Sequence, residues 1–346
     1  MVGDPALCAH LRATVRGRRA WLAGTLLLGA LGASGLICLL IGAVPLSLAA
    51  LWDAVRGQGE ETTQVILWEL RLPRVLTAVM VGGVLGCVGC AFQGLLRNPL
   101  ADPYIVGVSS GAAVGAAVGV LLGWHMRGWG WAIALLAFGG GLLTLMLALG
   151  LSRQAGQLRI PSFLLVGVSL SASLWGVITL LLTLAGEDLS RVIYWLLGGL
   201  LNADWARLWG ASVPALVGCA LLLAQARALN LYTAGEETAQ HLGAPVERLK
   251  WVVLVGGALA TAATVSIAGV IGFVGWMTPH LLRRVVGGDH RALMPLSALG
   301  GALLLLWADT LARTLARPVE LPVGVITALI GAPLFLWVMR SETRAG

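Results

Sequence analysis

The chain is 346 residues long, 58% apolar and only 11% charged, with 47 glycines and a mean hydropathy of +0.89. A soluble domain carries about a quarter charged residues, and uncharged stretches such as Trp21 to Leu51 exceed the roughly 20 residues of a bilayer-spanning helix, so a soluble protein is excluded. The net charge of +7, from 23 basic against 16 acidic residues, then reports membrane topology rather than nucleic acid.

A membrane β-barrel would alternate in segments of about 10 residues, and these blocks do not. The expected fold class is all-α, a polytopic bundle. Arg12, Arg16, Arg18 and Arg19 precede the first block, Trp21 to Val44, whose spanning length reads as a retained helix rather than a signal-peptide core. Further spans follow at Val75 to Leu96, Ile105 to Gly123, Trp129 to Leu151, Ile160 to Ala185 and Leu208 to Ala226. Trp251 to Leu282 holds no Asp, Glu, Lys or Arg, and Gly269, Gly272 and Gly275 with Pro279 predict a turn and a broken helix there. Leu293 to Ala308 and Val323 to Met339 complete about ten transmembrane helices.

Ten spans put both termini on one side. That side collects Arg12, Arg16, Arg18, Arg19, Arg97, Arg153, Arg159, Arg227, Arg248, Lys250, Arg283, Arg284, Arg291, Arg340 and Arg344, fifteen basic residues against eight opposite, which places the termini in the cytoplasm. Gly107, Gly111, Gly115, Gly119 and Gly123 lay bare positions along one helical face, a packing surface for a neighbouring backbone. Gly83 to Gly89 resembles Gly269 to Gly275, a faint sign of duplication of a kind that glycine- and valine-rich helices also produce by chance.

Two loops are long enough to hold structure. Gly186 to Trp205, on the outer side, predicts a short interfacial helix around Val192 to Leu197. On the cytoplasmic side, Thr233-Ala234-Gly235-Glu236 has a capping-box pattern that would start a short helix closed by Gly243, and Pro245 would open a second short helix with Val246, Glu247, Arg248 and Leu249.

Enzymatic signals are missing. There is no phosphate-cradling GxxxxGK[ST] loop, no HExxH, no nucleophile-elbow serine and no carboxylate cluster for magnesium, so neither catalytic residues nor cofactors are assigned, and no metal site is expected. Cys8, Cys38, Cys87, Cys90 and Cys219 imply no disulfide framework, and Cys87 with Cys90 read as packing residues. An ion-coupled carrier needs ionisable groups at mid-bilayer, but Asp309 can pair with Arg313 one turn on, and His280 reads as a structural histidine. Many of the 14 tryptophans fall near span ends, as an interfacial belt would; Trp175 and Trp276 lie deeper and read first as packing. What remains is a transporter without its own energy source, whose cytoplasmic loop suits docking to a soluble motor.

Arg71-Leu72-Pro73-Arg74, Gln93-Gly94-Leu95-Leu96-Arg97-Asn98-Pro99-Leu100-Ala101-Asp102-Pro103, Gly107-Val108-Ser109-Ser110-Gly111, Gly272-Phe273-Val274-Gly275 with Pro279-His280, Ala308-Asp309, and Glu320-Leu321-Pro322-Val323-Gly324 with Gly331-Ala332-Pro333 resemble the FecCD family. These are type II permease subunits of binding-protein-dependent ABC importers for iron-siderophores, haem and cobalamin, and the resemblance runs from about Leu51 to Arg340.

It implies one transmembrane permease domain over 1–346 in a bacterial inner membrane, with cytoplasmic coupling helices within 226–250. The implied partners are a second copy as homodimer, two cytoplasmic ABC ATPase subunits and a periplasmic or lipid-anchored binding protein. The coupling segment falls on Thr233, Glu236, Glu237, Ala239, Leu242 and Gly243, with Ala239 and Leu242 forming an apolar ridge for the ATPase. Docking arginines for the binding protein fall on Arg71, Arg74 and Arg313, all on the expected outer face. The inner gate falls on the turn Asn98-Pro99-Leu100, and its second position on Ile160, where Arg159-Ile160-Pro161 replaces a small hydroxyl-rich run of the cobalamin permease. An iron chelate is the leading cargo and cobalamin the alternative; a passive channel or secondary carrier is the alternative from another class.

Overall fold

The computed structural model describes residues 5–343 apart from 43, 125, 127–129 and 155–156. Trp129, the expected start of the fourth span, and Arg344 lie outside the described residues.

Helix α1 (Pro5–Leu40) crosses first, and it stops four residues before the expected Val44. Pro45 lacks an N–H and biases the preceding backbone toward extended forms, so the helix cannot run through it. A short α2 (Leu48–Val55) follows, opened by Ser47, whose Oγ accepts the Ala50 N–H at 3.1 Å. Helix α3 (Glu61–Val65) continues through a π-helical turn, Ile66–Arg71, into α4 (Leu72–Leu96). The wide turn immediately precedes Pro73, which has no N–H for the regular ladder. The second span is therefore one element of 36 residues, far longer than its expected apolar block.

Next come α5 (Val108–Leu121) and α6 (Gly130–Leu151), then a two-residue hairpin of β1 (Arg153–Gln154) and β2 (Gln157–Leu158), antiparallel with Arg153 opposite Leu158. Helix α7 (Ile160–Leu184) is followed by α8 (Leu189–Leu196), the expected short helix between spans. After α9 (Trp205–Ala224) the chain forms α10 (Ala226–Thr233) and α11 (Glu236–His241), then α12 (Val246–Ala268). The break expected at the glycines is present: α12 ends at Ala268, Gly269 turns with φ 66°, and α13 (Val274–Val286) starts a separate, shorter helix. Helices α14 (His290–Ala312) and α15 (Val323–Thr343) finish the bundle.

Seven helices among the described residues are long and apolar enough to cross a membrane. Val108–Leu121 and Val323–Trp337 are shorter apolar helices, and α13 completes the ten expected elements. Helix α4 is the centre of the bundle, buried along most of its length against α14 and α13. Close approach is possible because glycines face each other: a Cβ on Gly89 would overlap the Gly275 carbonyl oxygen. The glycine face of α5 packs on α6 as expected, and a Cβ on Gly115 would overlap the Leu136 carbonyl. By contrast α7 buries only Phe163, Gly167 and Ile178, leaving most of a 25-residue helix uncovered by its own chain.

Candidate functional site

The turn after α4 is fixed by backbone geometry. Arg97 adopts a left-handed conformation, φ 48° and ψ 35°, and the Asn98 N–H reaches back to the Gln93 carbonyl at 3.2 Å while the Arg97 N–H reaches Gly94. This is the Schellman closure, here without the usual glycine. Asn98 Oδ1 accepts the Leu100 N–H at 2.9 Å, so its amide caps the turn locally. Asn98, Pro99 and Leu100 are all exposed, and Ile160 begins α7 partly exposed. Directly beyond the turn, Tyr104 donates its hydroxyl to the Ile271 carbonyl and accepts the Ile271 N–H, both at 3.0 Å. The segment that follows this turn is thus clamped to the break between α12 and α13.

The 226–250 segment departs from its expected caps. Thr233 does not start α11, the expected coupling helix; it is the last residue of α10, and its hydroxyl donates to the Asn230 carbonyl at 2.8 Å. Gly235, with φ 129°, occupies the entry position of α11, because the chain turns sharply there and no side chain is needed to make the turn. Gly243, with φ 78°, closes α11 as expected. The predicted second short helix is not separate: Val246 to Leu249 form the first turn of α12, since nothing between Pro245 and Ala268 interrupts a helix. Helix α10 is tied to α14 through Asn230, which accepts the His290 N–H at 2.8 Å and donates to Asp289 at 2.6 Å.

The expected apolar ridge is also corrected. Ala239 is 0% exposed and faces the chain's own core, whereas Leu242 is 61% exposed. The outward surface of α11 and its C-cap therefore consists of Glu237, Thr238, Gln240, His241 and Leu242, with Glu236 partly covered.

Glu236 is partly covered because it is paired. Lys250, the one lysine of the sequence, is 4% exposed at its side chain and donates to Glu236 Oε1 at 2.6 Å, Glu247 Oε1 at 2.9 Å and the Leu158 carbonyl at 3.1 Å. Glu247 Oε2 in turn accepts the Leu158 N–H at 3.2 Å. On its other oxygen Glu236 accepts the Tyr232 hydroxyl at 3.2 Å, and the Arg97 guanidinium stands over the Tyr232 ring at 5.0 Å. Burial, and then the Glu236 carboxylate, push the Tyr232 phenol above its ordinary range, so it stays a donor at any physiological pH.

At the opposite end of the bundle, Arg71, Arg74 and Arg313, the expected docking arginines, each have partners in their own chain, and the expected pairing of Arg313 with Asp309 is present. Arg71 is buried and donates to the carbonyls of Leu39 at 2.5 Å, Leu40 at 3.1 Å and Val44, closing the C-terminus of α1. Arg313 is buried and donates to the Cys38 carbonyl at 2.7 Å, with Asp309 3.6 Å away. Arg74 pairs with buried Asp309 and with Glu320, each at 2.9 Å. All three bind groups of their own chain, because helix ends and buried carboxylates there lack other donors. Asp309 is accordingly a structural ion-pair centre, shared by Arg74 as well as Arg313. Arg74 and Glu320 also line a cavity of about 640 Å³ with Arg191, Arg207 and Trp195. His280 and Trp276 are buried and stacked at 5.6 Å, while Trp175 is exposed on α7.

Lys250, Glu247, Tyr232, Arg97 and Tyr104 were absent from the sequence-derived site. A lone lysine among arginines is the one signal that pointed toward any of them.

A bundle of about ten crossing elements, a short helix pair beside an exposed turn at one end and a helix left largely uncovered by its own chain define a membrane permease of the type II ABC importer architecture. The chain belongs to the FecCD transport family, which matches residues 30–341. It is 44% identical over 286 residues to a cobalamin import system permease protein of Halobacterium salinarum, covering 82% of this chain and 76% of that one. It is 41% identical over 324 residues to a hemin transport system permease protein of Yersinia pestis, covering 88% and 92%. Among solved structures, a metal-chelate type ABC transporter in an inward-facing conformation superposes with a TM-score of 0.83 at 32% identity, over 92% of this chain and 99% of that one.

Proposed function

We propose that the chain is the permease subunit of an ATP-driven importer for a metal chelate, with an iron complex of a siderophore or haem as the leading cargo. The observation that carries this reading is the likeness, along nearly the whole chain, to a metal-chelate transporter. Cobalamin is the second reading, favoured by the 44% identity to a cobalamin permease. All three cargoes are bulky chelates, which a path between two copies of the chain admits more readily than a path inside one packed bundle. The uncovered α7 is the helix placed to line such a path: its outward side carries Ser169, Ser173, Thr179 and Thr183.

The assembly is a homodimer in the bacterial inner membrane, with both termini in the cytoplasm. Two separate ATPase subunits dock on the exposed side of α11, around Glu237 and Leu242, and a periplasmic or lipid-anchored binding protein docks at the opposite end. Of the three arginines, Arg74 is the one placed to meet that protein, because it lines the cavity at that end and its partner Glu320 is partly exposed. ATP hydrolysis belongs to the separate subunits, and the gate lies at Asn98-Pro99-Leu100 with Ile160.

The test is uptake into vesicles holding the chain with the ATPase that copurifies with it, offered a ferric siderophore, haem or cyanocobalamin on its binding protein. Saturable uptake of one of them that stops without ATP supports the reading. Uptake driven by an ion gradient, or independent of ATP, rejects it.

A further inference from the structure

We propose that Arg97, Tyr232, Glu236, Lys250 and Glu247 form a strut that ties both gate segments to the coupling helix, so that one movement of α11 opens or closes them together. The proposal rests on the gate and coupling assignments above and goes beyond them by naming the connection.

The contacts are continuous. At one end the Arg97 guanidinium sits 5.0 Å over the Tyr232 ring, and Arg97 is the left-handed residue that closes α4 immediately before Asn98. The Tyr232 hydroxyl donates to Glu236, the first residue of α11. Glu236 then accepts from Lys250 at 2.6 Å, and Lys250 holds the Leu158 carbonyl while Glu247 holds the Leu158 N–H. Leu158 is buried and lies two residues before Ile160, so both backbone polar groups of the hairpin's last residue are committed to this ion pair. Both gate segments therefore lead to one carboxylate at the start of the helix expected to meet the motor.

The chemistry of the central residue fits this role. An ammonium has three donors around one nitrogen, and Lys250 uses three acceptors on three separate segments: α11, α12 and β2. A guanidinium presents its donors in a planar fork suited to one carboxylate. Of the 23 lysine and arginine residues in the sequence all but one are arginine, and the single lysine stands where three segments converge. The neighbouring contacts are of a kind that transmits displacement. Lys250, Tyr232 and Leu158 are buried, and a charge withdrawn from water loses its partners at high cost.

The test reads the two gates separately. Single cysteines replace Leu100 or Ile160 in the full chain, with the five native cysteines removed, assembled with its copurifying ATPase. The rate of modification by a polar maleimide is compared without nucleotide and after trapping with ATP and vanadate. In the parent both positions should change severalfold on trapping. Lys250→Met should reduce the change at position 160 to less than twofold while position 100 still responds. Arg97→Ala should do the reverse, and Glu236→Gln should weaken both.

Lys250→Arg keeps the charge and still should lose most of the response at 160, which a purely electrostatic role would not predict. Should Lys250→Met fail to assemble, Glu236→Gln and Lys250→Arg are read in its place. Responses at both positions that match the parent in all variants overturn the strut and leave the importer reading intact. No nucleotide response at either position in the parent overturns the gate assignment and the strut with it.

Discussion

Replacing Arg71 by alanine separates a structural arginine from a docking one. Arg71 closes three carbonyls at the end of α1 from a buried position. A hydrogen bond from a charged donor contributes about 1.5–3 kcal/mol, and water reaching an end of the bundle recovers part of three such bonds. A net loss of about 3–5 kcal/mol follows, since each neutral carbonyl left without its donor costs about 1–3 kcal/mol before water recovers a part. Gly42→Ala provides an independent perturbation without any change of charge, because a Cβ there would overlap the Arg71 guanidinium.

Both variants should melt several degrees below the parent in detergent, and both should bind the proposed binding protein with unchanged affinity per folded molecule. A docking arginine gives the opposite pattern: normal melting for Arg71→Ala, weaker binding, and a reduced dependence of affinity on salt. Normal melting of Arg71→Ala together with a tenfold loss of affinity would refute the assignment of Arg71 to the end of α1.

Three further outcomes are expected. Gly89→Ala, which forces α4 away from the Gly275 backbone, should destabilise by about 1–3 kcal/mol, whereas Gly139→Ala, with open space around it on α6, should be neutral or slightly stabilising in the same unfolding titration. Asp102 is held up at about 6 by burial, against an ordinary 3.8, so its ionisation costs stability as pH rises from about 4 through about 6. Asp102→Asn should therefore match the parent near pH 4 and melt above it at pH 8; equal differences at both pH values would contradict the burial argument. Leu242→Glu should cut ATP-driven uptake at least tenfold with normal melting, whereas Ala239→Glu should fail in folding, because only the first side chain is exposed.

Apolar length and glycine placement made the bundle legible, because a membrane helix must satisfy its backbone within itself and announces its length. The break at Gly269 and the glycine face of α5 were readable for the same reason, since backbone needs alone select those residues. The short α2 and the π turn before Pro73 were not legible, as neither leaves a periodic signature in 8 and 6 residues. The site divides in the same way. The turn at Asn98-Pro99-Leu100 was legible as a helix end, because proline there cannot continue the helix. The carbonyl partners of Arg71 and Arg313 and the carboxylate partners of Arg74 were missed because they lie far off in sequence, the Arg74 to Asp309 pair spanning 235 positions, whereas the Arg313 to Asp309 contact, one turn apart, was readable. Exposure of an arginine near a span end is a default that holds only when no distant helix end needs donors. Ala239 failed likewise: in a helix of six residues, which side faces the core is decided by contacts outside it.

The distribution of polar groups bears on how cargo is chosen. On α7 the hydroxyls of Ser169, Ser173, Thr179 and Thr183 each donate to a carbonyl four residues back in the same helix, at 2.9–3.0 Å. Their protons are committed, so a cargo passing that face meets acceptor lone pairs and methyl groups, with no free donor and no charge from these four residues. A surface of this kind wets easily and holds a chelate weakly. At the opposite end the arginines that would grip an anionic ligand are already neutralised by Asp309 and Glu320 or bound to carbonyls. Tight recognition along the path would slow release on the far side, since a site that binds the cargo well in every state retains it. On the proposed reading, the selective step falls to the binding protein, and the permease contributes a path that opens in register with its motor. Variants of the four hydroxyl residues to alanine should accordingly change the rate of uptake for every chelate the system accepts by a similar factor. A variant that altered the preference between haem and cobalamin by tenfold or more would show that α7 reads the cargo, and this division of labour would fail.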